Sequence, residues 1–411
     1  MRKQLFQPPQ KNLRILTTSI LFWLLIGIVF YTYFGYGILI WLLVKIKHLI
    51  FGEKEVEIPS ELPEVTFVVA AWNEKPWMIK KIENGLAFDY PKNKINYLFV
   101  TDGSDDGTPD VINSYNFPDN VNFIVHHKPE RAGKIAAVER IMEFVKTPFV
   151  IFSDANTDVN PQAIKNIIRH YSDPKVGAVS GEKRVAMSSE DAATASEGIY
   201  WKYESFLKTL DSQFYSAVGA PGELFSIRTE LFKPVPSDTY VEDFFMTMSI
   251  AKEGYKIIYE PGAFASEAKS ASVGEELKRK IRIGAGGLQA VWRLSPLLNI
   301  FKHGRLSFQY ISHRVLRWTL APLALPLIFI LNFFLIQNPN PIYKYLFICQ
   351  VVFYSFALLG WFFEKRKLKF KAFFVPFYFC MMNYAMYRGF ERLVKGRQSV
   401  LWEKAKRSDE V

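Results

Sequence analysis

The sequence predicts an α/β domain with a mostly parallel, Rossmann-like sheet, set between N- and C-terminal transmembrane helices. Three observations carry this reading. Between about residues 60 and 295, short apolar runs alternate with amphipathic ones, the pattern of strands covered by helices. Four acidic residues follow in order: Glu74 in VVAAWNE, Asp102 in VTDGSDDGT, Asp154 in FSDANT and Asp243 in TYVEDFF. The first three each close an apolar run, which places a carboxylate at a strand's carboxyl end, where open α/β sheets bind ligands. Long uncharged stretches flank this region on both sides.

Ile15 to Val44 is long enough for one bilayer crossing, for which about 20 residues suffice, and too short for two. A cleaved signal peptide would have a shorter apolar region and a small-residue cleavage site, and neither is found. Strands are expected at Val65 to Ala71, Ile95 to Thr101, Val121 to His126 and Pro148 to Ser153. Helices are expected at Lys134 to Val145, at Gln162 to Tyr171 with Pro161 at its start, and from Asp243 in VEDFFMTMSIAKEGY. Trp318 to Ile336 and Tyr345 to Phe363 read as two further spans, separated by the turn-forming NPNP. Ala372 to Tyr387 is shorter, contains Pro376 and Asn383, and reads as a re-entrant or interfacial helix. PSELP and SPLLN mark boundaries, giving an N-terminal tail and span over 1–58, a central domain over 59–295 and a membrane-associated part with a basic tail over 296–411.

Composition narrows the function. The chain has 411 residues, 49% of them hydrophobic and 16% aromatic, and a net charge of +11. The basic residues bracket apolar stretches instead of forming a separate arm, which favours membrane lipids and phosphate-bearing ligands over nucleic acid. Cys349 and Cys380 both lie in apolar segments, so neither a disulfide framework nor a thiolate metal site is supported. The block from Lys365 to Lys371 and the basic tail place the central domain and the C-terminus in the cytoplasm, at the inner or plasma membrane. Arg2, Lys3, Lys11 and Arg14 also favour the inside, whereas a single first span would put them outside.

Taken alone, several motifs have plain explanations. SDANTDV suits a polar turn with an Asx cap, DGSDDGT an ordinary tight turn, Lys134 a solvated lysine and Asp243 a helix cap. Together, VVAAWNE, VTDGSDDGT, RAGK, FSDANT, GAPGELFSIR and VED resemble the ordered motifs of membrane-bound family 2 glycosyltransferases. That family has the GT-A fold and includes the cellulose, chitin, hyaluronan and poly-N-acetylglucosamine synthases.

The resemblance implies an inverting transfer from a nucleotide diphosphate sugar, a UDP-sugar, to a saccharide or lipid-linked acceptor. Glu74 and Asp102 would bind the nucleoside, and Lys134 and Arg282 the diphosphate. Asp154 would hold Mg²⁺ or Mn²⁺ as the first position of an Asp-x-Asp motif whose third position is here Asn156. Asp243 would take the acceptor's proton, oriented by Glu242. Processive synthases carry Gln-x-x-Arg-Trp where this chain has Arg279-Lys280-Ile281-Arg282-Ile283, so Trp201 or Trp292 would have to supply an acceptor platform from elsewhere. SVLWEKAKR, with Trp402 and Arg407, loosely resembles a tryptophan and arginine motif near the end of some polysaccharide synthases. A non-catalytic membrane scaffold is the rival reading. Asn156 favours it, and the joint presence of Asp102, Asp154, Asp243 and Arg282 opposes it.

Overall fold

The structure is a computed structural model that describes residues 9–401 apart from 54–55, 186–191, 269–271, 367 and 369. Trp402, Arg407 and the side chain of Tyr200 lie outside the described residues. Helix α1 (Pro9–Phe30) continues through a π-helical turn, Tyr31–Gly35, into α2 (Tyr36–Phe51). Leu13–Phe51 forms 39 residues long and apolar enough to cross a membrane. The helix outruns the predicted end at Val44 because nothing breaks it before Gly52, whose φ of 72° ends it.

The central domain runs β1 (Val65–Ala71), α3 (Lys75–Leu86), β2 (Ile95–Asp102), α4 (Thr108–Asn113), β3 (Asn122–Lys128), α5 (Lys134–Met142) and β4 (Phe149–Asp154). It continues through β5 (Asp158–Val159), α6 (Ala163–Ile168), β6 (Val176–Val185), α7 (Ala192–Phe214), β7 (Leu224–Arg228), α8 (Glu242–Lys252), β8 (Lys256–Glu267) and α9 (Val273–Arg293). The strands form one sheet in the order β3-β2-β1-β4-β7-β6-β8-β5. Strands β3, β2, β1 and β4 are mutually parallel, and β7 enters antiparallel between β4 and β6. Register pairs Ala70 with Asp154 and Ala71 with Thr101, so the predicted carboxylates end side by side at one sheet edge. The predicted strands hold within a residue or two. Helix α5 stops at Met142, and the predicted 162–171 helix is the shorter α6 followed by a 3₁₀ turn, Arg169–Ser172. Pro161 stands in the turn before α6, where its carbonyl accepts the Asp89 amide at 2.9 Å.

Strand alternation divides the core. Val68, Val100, Val150 and Phe152 pack under Val138 and Ile141 of α5 and Met248 of α8. Phe67, Val69, Tyr97 and Ile151 face Met78 and Ile82 of α3 and Ile164 and Ile167 of α6.

The C-terminal part comprises α10 (Ile300–His303), α11 (Arg305–Tyr310), a second π-helical turn (Ile311–Val315), α12 (Leu316–Trp318), α13 (Leu320–Leu335), α14 (Ile342–Lys365) and α15 (Lys371–Val394). Helix α14 is long and apolar enough to cross a membrane. The predicted span from Trp318 belongs to a bent pair, Arg305–Trp318 and Leu320–Leu335, meeting at 51°. Helix α15 is a continuous 24 residues, longer than the predicted 372–387, and lies along α9. Phe374, Phe377, Tyr378 and Met381 cluster with Val273 and Leu277 near the start of both helices. Farther along, a Cβ on Gly389 would stand 2.6 Å from the Ala285 nitrogen, so the two backbones touch there.

Helix α7 docks on α2 through Leu207 and Leu210, which pack against Tyr36, Ile40 and Val44. Beside this contact lies a buried ionic cluster. Glu204 of α7 accepts from Arg314 at 2.6 Å and Arg317 at 2.9 Å, and His313 Nδ1 lies 2.5 Å from Asp211 Oδ2. Tyr36 of α2 donates to Asp211, and the Tyr31 and Ser312 hydroxyls join the two π-helical turns at 2.8 Å. Burial opposes ionisation of Glu204, yet Arg314, His313 and Arg317 hold its carboxyl well below the usual range. Removing one member of such a cluster leaves buried charge uncompensated, at a cost of about 3–5 kcal/mol. Glu204→Ala is therefore expected to lower the unfolding midpoint of the detergent-solubilised protein steeply. A loss below about 1 kcal/mol would mean that the cluster behaves like a solvated surface pair.

Candidate active site

Glu74, Asp102, Lys134 and Asp154 stand at or just after the ends of parallel strands, and Glu242 and Asp243 open α8 after the antiparallel β7. After β1, Asn73 takes a positive φ of 54° and locks to the β2 loop: its Nδ2 donates to Asp105 Oδ1 at 2.8 Å and its Oδ1 accepts the Asp105 amide at 3.0 Å. Glu74 is buried at the start of α3, its amide donating to Thr108 Oγ1 at 3.0 Å. Asp102, at the end of β2, is 4% exposed. Its Oδ2 accepts the amides of Ala132 and Gly133 at 2.8 and 2.6 Å, and its Oδ1 accepts from Arg140 at 2.9 Å. Asp102 thus holds the RAGK turn in place. That turn also needs glycine at 103, where φ is +67° and a Cβ would meet the Arg131 Cβ at 2.5 Å.

Between these turns lies a cavity lined by Trp72, Asp102, Arg131, Gly133 and Lys134. The Arg131 guanidinium lies over the Trp72 ring at 3.3 Å, giving the cavity one flat cationic wall. On the other side of the RAGK turn, the Val400 carbonyl and Leu401 come within 3.8 and 3.7 Å of a Cβ built at Gly133, so the end of the described chain lies over this turn.

Beside the cavity, Lys134 gathers the acidic residues. Its Nζ donates to Asp154 Oδ1 at 2.8 Å and pairs with Glu242 Oε1 at 3.2 Å. Gly222, in the GAPGE loop, lets the group close up. A Cβ there would stand 3.1 Å from Asp243 Oδ2 and 3.3 Å from Lys134 Nζ. Burial works against the lysine's charge, but Asp154 and then Glu242 and Asp243 hold its pKa above the ordinary value. Burial raises Asp154 despite the opposing lysine. Asp243 lies in the first turn of α8, and burial and then the neighbouring Glu242 carboxylate push it up to about 7. Asp243 does not cap the helix: Val241 is the N-cap, and Asp243 Oδ1 accepts the adjacent Phe244 amide at 2.8 Å.

Asn156 follows Asp154 half-buried, with no hydrogen-bond partner for its side chain among the described residues. Asp158 does not turn back towards Asp154; it pairs with Lys80 at 2.5 Å. No group of three or more His, Cys, Asp or Glu side chains forms a ready metal cage among the described residues. Asp154 with the Asn156 amide nevertheless fits Mg²⁺ or Mn²⁺, hard cations that take one or two protein oxygens and complete their shell with phosphate oxygens and water.

A second network borders the first through Glu223, which pairs with Lys183. Lys183 also pairs with Glu267, and Arg279 lies 3.0 Å from Glu276 and 3.8 Å from Glu267. Burial opposes the charge on Glu223, but Lys183 and Arg279 hold it far below the ordinary carboxylate value. The Trp201 ring lies beside this network, 5.6 Å from Lys183 Nζ and 5.1 Å from Lys280 Nζ. Arg279 and Lys280, which also pairs with Glu276 at 3.4 Å, are thus α9 cations built into the network. Arg282 is half-buried one turn on, and no ion pair joins it to Asp102, Asp154 or Asp243 among the described residues. Trp292 is 79% exposed and does not join the cluster.

Sequence reasoning missed Glu223, Lys183, Arg279 and Lys81. Lys81 is buried on α3, donating to Ser153 Oγ at 2.7 Å and to the Thr157 carbonyl at 2.8 Å. Its one signal is a charged residue on the apolar stripe formed by Met78, Ile82 and Gly85.

Comparison with known proteins gives the family and the fold. A family model described as "Glycosyltransferase like family 2" matches residues 63–286, more than half of the chain. The poly-beta-1,6-N-acetyl-D-glucosamine synthase of Staphylococcus aureus strain COL is 28% identical over 243 residues, covering 57% of this chain and 57% of that protein. The synthase of the same name from Staphylococcus epidermidis is 24% identical over 239 residues, again 57% of each. The chain therefore spans little more than half the length of the curated relatives it matches. Among solved structures, the mannosyltransferase PcManGT from Pyrobaculum calidifontis, in complex with GDP-Man and Mn²⁺, superposes with a TM-score of 0.68 at 20% identity, over 92% of this chain and 99% of that one. The fold is GT-A, and the chain belongs to the glycosyltransferase like family 2.

Proposed function

We propose that this chain is a membrane-embedded, inverting glycosyltransferase that moves sugar from a nucleotide diphosphate sugar, a UDP-sugar, to a saccharide or lipid-linked acceptor in polysaccharide synthesis. One observation carries the reading: a single largely buried lysine at a helix start is shared by carboxylates from two separate elements, directly beside a cavity lined by Trp72, Asp102 and Arg131. The relatives named as polymer synthases support the carbohydrate product, and the GDP-Man complex of the structural neighbour makes a purine donor the alternative to test.

The chemistry follows from the charges. Departure of a nucleoside diphosphate leaves negative charge that fixed cations must meet as the bond breaks. Lys134 supplies one, at a helix start whose amides also favour phosphate. A divalent ion held by Asp154 and Asn156 would supply the Lewis acidity at the same oxygens. Asp243 takes the acceptor's hydroxyl proton, because a carboxyl raised to about 7 is a stronger base than an ordinary aspartate and can still ionise near neutrality. Glu242 both raises and orients it. Purified protein should release nucleotide from one member of a UDP- and GDP-sugar panel, and chelator should stop that release. Release from none of the panel would leave the scaffold reading standing.

Asp243 gives a test in which rate and stability move in opposite directions. Asp243→Asn is expected to keep donor affinity while losing about 10² to 10⁴ in turnover, the usual worth of a general base. In the fold the Asp243 pKa is raised from 3.8 to about 7. Its favourable contribution to folding is thus complete below pH 4 and is lost as pH rises through about 7. Above that pH the ionised group is a burden, so Asp243→Asn should unfold at a higher temperature than wild type at pH 8, with a smaller difference at pH 5. Near-normal turnover, or a lower melting temperature at pH 8, would remove Asp243 from this role.

We place the catalytic domain and the C-terminus on the cytoplasmic side, on the strength of the basic residues from Lys365 to Lys371 and from Arg388 to Arg397. The packing of α15 along α9 supports an interfacial position for α15. Impermeant thiol reagents should then fail to label a cysteine placed at Lys395 in intact cells and should label it in inverted vesicles. Labelling from outside would reverse the orientation.

A further inference from the structure

Lys81 has no role in the chemistry above, yet it is 2% exposed and its charge is desolvated. Its Nζ donates to Ser153 Oγ at 2.7 Å, to the Thr157 carbonyl at 2.8 Å and to Thr157 Oγ1 at 3.2 Å. No carboxylate lies within ion-pair distance of Lys81 among the described residues. Burying an ammonium against neutral oxygens alone is costly, and its three bonds offset part of that cost. All of its partners flank one short segment. Ser153 immediately precedes Asp154, and Thr157 immediately follows Asn156.

The bonds continue upward from there. Thr157 Oγ1 donates to the Asp154 carbonyl at 2.9 Å, and Ser153 Oγ donates to the Glu223 carbonyl at 3.0 Å. One ammonium therefore ties the turn bearing Asp154 and Asn156 to the GAPGE loop that faces Asp243. We propose that Lys81 is a positioning residue that clamps the Asp154–Thr157 turn in the geometry that presents Asp154 and Asn156 to a divalent cation. The clamp holds the residues on both sides of Asp154 and Asn156, which matters more where the second ligand is an amide, weaker than a carboxylate. This inference rests on the reading of Asp154 as a metal ligand given above.

The test is Mn²⁺ binding to the full-length protein in detergent, followed by the electron paramagnetic resonance of the ion with UDP present and absent. Lys81→Met is expected to weaken Mn²⁺ about 10- to 100-fold, the usual effect of losing a group that orients metal ligands. Thr157→Val, which keeps the carbonyl and loses only the hydroxyl, should weaken it less and should add little to Lys81→Met. If Lys81→Met does not fold, Thr157→Val decides alone, and unchanged Mn²⁺ binding in it overturns the proposal. Unchanged affinity in a folded Lys81→Met with a lowered melting temperature would make Lys81 purely structural. Tighter binding would make it an electrostatic damper, which also overturns the clamp. Asp154→Ala keeps the two levels apart: if it weakens Mn²⁺ while both clamp variants do not, this proposal alone fails. If the wild type binds no Mn²⁺, the metal reading fails with it.

Discussion

The site is organised by an imbalance of charge around Lys134. The turns after β4 and at the start of α8 bring Asp154, Glu242 and Asp243 together, and one lysine stands between them. Burial first, and then the neighbouring carboxylates, raise Asp154 and push Asp243 up to about 7, while the carboxylates hold Lys134 above its ordinary value against its own burial. In the proposed reaction the surplus negative charge would attract a divalent cation and the raised Asp243 would act as the base, with Lys134 paired to Asp154 beside them.

That arrangement needs rigid surroundings, and the chain supplies them with buried polar ties rather than apolar packing alone. Asp102 fixes the RAGK turn through two amides and Arg140, and so fixes where Lys134 begins its helix. Lys183, Glu223 and Arg279 brace the opposite side. The same device joins the domain to the membrane part, where Glu204 and Asp211 of α7 meet Arg314, Arg317, His313 and Tyr36. This cluster lies beside both π-helical turns, so the helix irregularities and the buried charges share one location. Helix α15 completes the connection, running along α9, which carries Arg279.

The strand-end carboxylates were legible in the sequence because each ends an apolar run, and strand direction alone then puts them at one sheet edge. Lys134 was legible for the same kind of reason, since Gly-Lys after a turn begins a helix. Residues whose meaning lies in distant pairing were not. Arg279 reads as one more basic residue in ELKRKIRIG, and only the fold shows Glu267 and Glu223 beside it. Lys81 looks like a solvated helix lysine until β4 is placed beneath it. Trp201 and Trp292 are indistinguishable as aromatic residues in helices, yet one stands against Lys183 and Lys280 and the other is 79% exposed. The single span ending at Val44 was too short because hydropathy marks a bilayer's thickness, whereas α2 runs on until Gly52 ends it.

We infer that Lys134 is the counter-ion through which the carboxylates and the donor's diphosphate compete. Titrating Lys134→Met with Mn²⁺ alone and then with UDP tests it most directly. Removing the lysine should free Asp154, so Mn²⁺ alone is expected to bind more tightly than in wild type, while UDP binding in its presence is expected to weaken. If Mn²⁺ and UDP both bind as they do to wild type, Lys134 is a structural tie and the charge balance described here does not govern the site.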